Sequence, residues 1–215
     1  MSGVLAIEVY FDFICPWCLI GKRNLERALA EFRERHPGTP VHIDWRPYEL
    51  LPGTPPDGLP YQLFYLQRLG SAMAVEARRA QVRHAAEGVG VQLHFEQIQV
   101  MPNTRAAHAL VERARALGET AVAAVIEAVF SAYFLHGEDI GAPATLDRIA
   151  QAHGLPAAVR EGDTPRAPAR SAAFIPGVPY FVFPQRIALS GAQPPEAVLH
   201  AMGRALASVS KAVVN

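Results

Sequence analysis

An apolar run that ends in two closely spaced cysteines constrains this chain more than any other feature. Residues 4–13, VLAIEVYFDF, are rich in β-branched and aromatic residues and mostly apolar on both faces. That is the pattern of a strand buried in the middle of a sheet. Cys15-Pro16-Trp17-Cys18 follows, and no other cysteine occurs in the 215 residues. Pro16 suits the first position of a helix, where the N–H it lacks would have no intrahelical acceptor. Cys18, Leu25, Leu29 and Phe32 then share one face at helical spacing, and His36-Pro37-Gly38 stops the helix. VHIDWRPYEL (41–50) reads as a second strand, so the first fifty residues predict a β-α-β unit.

The next stretch, LPGTPPDGLP (51–60), is rich in Pro and Gly and predicts a linker and a domain boundary. From Tyr61 to Ala173 the chain turns to Ala, Leu, Arg and Glu at helical period. Helices are predicted near 61–69, 71–87, 104–117, 119–136 and 143–153, with shorter ones around 156–161 and 166–173. Asn103 or Thr104 caps the third, and Gly118 ends it. VQLHFEQIQ (91–99) is ambiguous and compatible with extended backbone. Tyr61, Phe64, Tyr65, Leu66 and Leu69 form an apolar stripe, read as core, with the lining of a substrate groove as the alternative. Strand character returns at 178–183 and 186–189, and Ser190–Gln193 opens a last helix that runs from Pro195 to Leu206.

Twenty basic residues balance twenty acidic ones, so no overall field draws the chain to nucleic acid or to an anionic membrane. The start, MSGVLAIEVYFDF, lacks a cationic leader region and carries Glu8 and Asp12, which reads as a strand and not a signal peptide. The most apolar stretch, TAVAAVIEAVFSAYFLHG, contains Glu127 and is short of the ~20 residues that span a bilayer. A cytoplasmic protein, a monomer or a homodimer, is expected.

Four roles are open to the cysteine pair. A structural zinc site needs four ligands, and this chain has neither a third cysteine nor a pair of suitably spaced histidines, so no metal is expected. A structural disulfide across so short a loop constrains the unfolded chain little. Two inert buried thiols remain possible. Redox chemistry fits best: a thiol at a helix start faces unpaired backbone amides whose partial positive charge favours thiolate, and a second thiol one turn on can resolve the mixed disulfide. Cys15 is then the nucleophile and Cys18 the resolving group. A second element points the same way: a Val178-Pro179 bond entering a strand is unusual, because proline cannot donate in a sheet ladder, and a cis bond in a tight turn would explain it.

Taken together, C-x-x-C opening a helix, a helical insertion and G-V-P entering a late strand resemble the thioredoxin fold with the insertion of the DsbA family. D-F-x-C-P-W-C-x-x-G-K-R (12–23), N-T-x-x-A-H (103–108), G-x-D-I (137–140) and G-V-P-x-F-V through S-G-A-Q (177–193) resemble the FrnE-like branch of that family. The resemblance implies an α/β thioredoxin-like fold, a mixed sheet flanked by helices, with an inserted α-helical domain. Residues 1–58 and 174–215 would form the thioredoxin-like domain and 59–173 the insertion. It also implies that Pro179 is cis and packs beside Cys15 and Cys18, and that the Val178 backbone pairs with a substrate chain. Pro16 is a candidate substrate contact, Trp17 either stacks on substrate or closes the helix start, and His108, in the block that caps the site in relatives, is a further candidate with a structural role as its alternative.

Two positions depart from the pattern. Leu19 stands where many relatives carry an aromatic residue, and Val9 stands six residues before Cys15, where thioredoxin-like redox proteins often bury an acid. Glu8 and Asp12 are the neighbouring acids. The expected function is thiol–disulfide exchange with no cofactor, glutathione being a possible co-substrate. Two rivals are a glutathione-dependent transferase or isomerase of the kappa/hydroxychromene-carboxylate isomerase type, and a peptide-holding module in which the cysteines are incidental.

Overall fold

The computed structural model of the protein describes residues 4–156 and 175–212. The chain divides into two compact units, Met1–Tyr48 with Pro168–Asn215, and Glu49–Ala167. The short helices expected around 156–161 and 166–173, and the boundary expected at 173/174, fall outside the described residues.

The first unit is built on a four-stranded sheet. Strand β1 (Leu5–Phe11) runs into helix α1 (Pro16–Arg35), which leads to β2 (Val41–Pro47). Strands β5 (Tyr180–Phe183) and β6 (Ile187–Ser190) and helix α7 (Pro195–Ala212) come from the far end of the chain. The sheet order is β2-β1-β5-β6, with β1 parallel to β2 and the other two pairs antiparallel. A parallel pair needs a crossover connection, and α1 supplies it. Val9 lies opposite Phe181, and Phe181 opposite Leu189, so one row of apolar side chains crosses three strands on one face. Val9 and Phe181 are buried there together with Leu25 and Phe32 of α1 and Val198 and Met202 of α7. Each large apolar side chain removed from water in this way contributes roughly 1.5–3 kcal/mol. β1 is buried on nearly its whole length because it is central, which is why its sequence shows no alternation.

The second unit consists of helices α2 (Tyr61–Leu69), α3 (Ala72–Glu87), α4 (Arg105–Ala114), α5 (Glu119–Phe134) and α6 (Pro143–Ala152), with the short strands β3 (Leu59–Pro60) and β4 (Val100–Met101). Helix α5 is its axis: Val125, Ile126, Val129, Phe130, Tyr133 and Phe134 are all buried, so the most apolar stretch of the chain is a core helix. No described helix is long and apolar enough to cross a membrane. The segment 51–60 is part of this unit and not a free tether: Leu59 pairs with Met101, and the Asn103 carboxamide donates to the Thr54 carbonyl at 2.7 Å. The same side chain caps α4, accepting from the Arg105 N–H at 3.0 Å, so Asn103 is the cap and Thr104 is not. Residues 91–98 form turns and irregular backbone: the Gln97 N–H closes a turn on the His94 carbonyl at 3.0 Å, and the His94 N–H goes to the Phe134 carbonyl at 2.9 Å, so neither amide serves a strand ladder.

The apolar stripe on α2 is not core. Of its five members only Tyr61 is buried, Leu66 is exposed, and the others are half-buried. Helical period marks an apolar face, but only packing decides whether that face is covered. A second correction concerns Ser190–Gln193: Ser190 is the last residue of β6 and the chain turns at Gly191–Gln193, the helix beginning only at Pro195.

Candidate active site

The cysteines sit where β1 gives way to α1. Cys15 is the residue that precedes the first helical turn, with extended backbone angles (φ −94°, ψ 106°), and Pro16 takes the first helical position. The Cys15 N–H donates to the Asp12 carbonyl at 3.2 Å, and the Cys18 N–H to the Cys15 carbonyl at 3.0 Å, closing the turn that leads into the helix. Both cysteines are free thiols, Cys15 with 6% of its surface exposed and Cys18 with 2%. Pro16 and Trp17, between them, are half-buried.

Burial pushes the Cys18 thiol well above its ordinary range, helped by the hydrogen bond that its S–H donates to the Cys15 sulfur and by the negative charge of the Cys15 thiolate. The carboxylate of Asp12 acts in the same direction, while a backbone hydrogen bond at Asp12 opposes it. Cys18 is thus the thiol that holds its proton, as a group buried away from water should.

The other half of the arrangement comes from the distant segment that enters β5. The Val178–Pro179 peptide bond is cis. The Cys15 thiol donates to the Val178 carbonyl, with 3.5 Å between sulfur and oxygen, across 163 residues of sequence. Pro179 is buried and Val178 half-buried. A Cβ added to Gly21 would lie 2.9 Å from Pro179 Cγ and 3.3 Å from Phe181 Cζ. Gly21 therefore lets the proline ring press directly on α1, one turn beyond Cys18. The Pro179 carbonyl accepts from the Gly191 N–H at 2.8 Å, and Asn24 on α1 donates to the Gln193 carbonyl at 2.9 Å.

Of the residues singled out from sequence, Cys15, Pro16, Trp17, Cys18, Val178 and Pro179 thus lie together in the sheet-bearing unit. His108 belongs to the helical unit, where it is buried on α4, its N–H bonded to the Thr104 carbonyl at 3.0 Å. Val9 is core, 1% exposed, so no acid stands at that position of β1. Glu8 is on the opposite face of the strand, where it accepts from Arg46 and from the Tyr10 hydroxyl, each at 2.9 Å. Asp12 is fully buried beside the thiols. Gly21, Asn24, Gly191 and Gln193 were not picked out as functional positions. Three of them stand inside the quoted motifs, but a motif string does not show which atoms meet.

A mixed sheet with a dithiol at the head of the helix after its central strand, and a cis-proline against that dithiol, defines a thioredoxin-fold protein of the thiol-oxidoreductase type. The model of the DSBA-like thioredoxin domain matches residues 6–203, and the chain belongs to that family. It is similar to the crystal structure of a probable DsbA oxidoreductase from Streptomyces coelicolor, with a TM-score of 0.82 and 28% identity, covering 94% of this chain and 90% of that one. It also resembles YwbO, an uncharacterised protein of Bacillus subtilis (strain 168), at 27% identity over 149 residues. That match spans 69% of this chain and 66% of YwbO, just under two thirds of its length. A 2-hydroxychromene-2-carboxylate isomerase shares the fold, at a TM-score of 0.59 and 15% identity over 98% of this chain and 99% of that one.

Proposed function

We propose that the protein exchanges disulfides through Cys15 and Cys18. The observation that carries this reading is the approach of the Cys15 sulfur to the Val178 carbonyl, next to Pro179, at the start of a helix. The Cys15 thiolate attacks one sulfur of a substrate disulfide and forms a mixed disulfide, and the other substrate sulfur leaves as a thiolate that takes a proton from water. Cys18 then loses its proton and attacks Cys15 Sγ, forming the internal disulfide and releasing the second substrate thiol. Two electrons pass to the substrate, and the dithiol needs no cofactor to carry them. The same steps run backwards when the internal disulfide oxidises a substrate dithiol. Because Cys18 holds its proton tightly, resolution is the pH-sensitive half of the cycle.

Substrate is held by pairing of its backbone with that of Val178, a mode that reads no side chains and so accepts varied disulfides, with Pro16 and Trp17 as flanking contacts. Glutathione is the small thiol proposed as co-substrate. The FrnE-like branch is our assignment from the motifs, as is a cytoplasmic site of action. An insulin-reduction or glutathione-exchange assay on wild type and Cys15→Ser tests the reading. Exchange is expected in wild type and absent in the variant, and persistence in Cys15→Ser would overturn it. Glutathione-dependent turnover that survives Cys18→Ala would instead support the isomerase rival.

A further inference from the structure

Asn24 lies on α1 six residues past Cys18, is only 6% exposed, and has no part in the exchange steps. A buried carboxamide needs hydrogen-bond partners. Its Nδ2 donates at 2.9 Å to the main-chain oxygen of Gln193, in the Ser190–Gln193 turn. That turn is closed twice by Gln193 itself: its N–H donates to the Gly191 carbonyl at 2.8 Å, and its Nε2 to the Ser190 carbonyl at 2.7 Å. Gly191 has φ +80°, a conformation that side-chain-bearing residues rarely adopt, and its N–H extends the β5–β6 pairing by one step, donating to the Pro179 carbonyl at 2.8 Å. Proline has no N–H, so its carbonyl is the one main-chain handle it offers. A continuous chain of hydrogen bonds therefore runs from the helix that carries the cysteines, through the turn, to Pro179.

We propose that Asn24 is a positioning residue: through the Ser190–Gln193 turn it sets where the Val178–Pro179 segment presents a bound peptide disulfide to Cys15. This rests on the redox reading above and deepens it. A peptide disulfide that pairs with the Val178 backbone depends on the placement of that segment. A small disulfide that needs only the Cys15 sulfur does not. Asn24 is accordingly a determinant of peptide over small-molecule substrates, although it touches neither.

The test measures kcat and KM with an extended peptide carrying a glutathione mixed disulfide, and the rate with dithiobisnitrobenzoate. Wild type is compared with Asn24→Asp, which keeps the shape and loses the donor, and with Asn24→Ala and Gly191→Ala. KM for the peptide is expected to rise about 3- to 10-fold, the size of one hydrogen bond, with kcat and the small-disulfide rate unchanged. Hydrogen exchange at the Gly191 amide is expected to quicken in Asn24→Asp, a readout that does not depend on activity. Equal slowing on both substrates, or an unchanged peptide KM beside a lowered Tm, overturns the inference and leaves the exchange activity standing. A wild type inert towards both substrates overturns the redox reading and this inference with it.

Discussion

Cys18, three residues past Cys15, is buried where the protonated thiol is favoured, and the consequence is open to measurement. Cys18 is the deeper of the two and is pushed above the ordinary thiol range. Limiting iodoacetamide on the reduced protein at pH 7 should therefore modify Cys15 first, read by peptide mass; primary modification at Cys18 would reverse the roles. Cys18→Ala should accumulate the mixed disulfide with glutathione, seen as an added mass that reductant removes. The raised Cys18 value also has a thermodynamic sign. The fold favours the protonated thiol, so its contribution is complete below the unfolded thiol value of ~8.5 and is lost as pH rises through the folded value. Urea unfolding of the reduced protein from pH 7 to 10 should show wild type losing more stability above ~8.5 than Cys18→Ala does. Asp12→Asn removes a charge that raises Cys18 and should move the pH midpoint of the resolving step downward, as read by single-turnover kinetics.

At the scale of elements, α1 depends on a residue with no side chain. Gly21→Ala brings a methyl within 2.9 Å of a ring that cannot flex away. Overpacking of this kind costs typically 1–3 kcal/mol, more than the ~1 kcal/mol alanine gains over glycine in a helix. The variant should lower Tm and slow exchange, and a rise in Tm would show the contact to be slack. Most elements were legible: α1 through α6 follow their apolar period and punctuation, and the four strands of the larger sheet follow their β-branched and aromatic runs, whereas β3 and β4, two residues each, left no such run. The cysteine–helix junction was legible too, because Pro16 marks its first position. What could not be read was tertiary. The exposure of Leu66, the part of Asn24 and the turn at Gly191 depend on what lies across from each, and sequence spacing within one element carries no record of that.

For the molecule as a whole, equal numbers of acidic and basic residues and a pI of about 7.1 leave little charge to keep copies apart at neutral pH. Solubility, measured by precipitation with polyethylene glycol, should be lowest near pH 7 and improve by pH 8.5. The unit that holds the thiols is assembled from both ends of the chain, the carbonyl that receives the Cys15 hydrogen bond lying 163 positions further on. On a ribosome adding 5–20 residues per second, the cysteines emerge roughly 10–30 s before that carbonyl is made. For that interval they are a dithiol without a site, exposed to every oxidant and thiol around the nascent chain. Having just two cysteines limits the damage: within the chain they can pair only with each other, so the one intramolecular disulfide open to a half-made chain is the one that the finished protein would use.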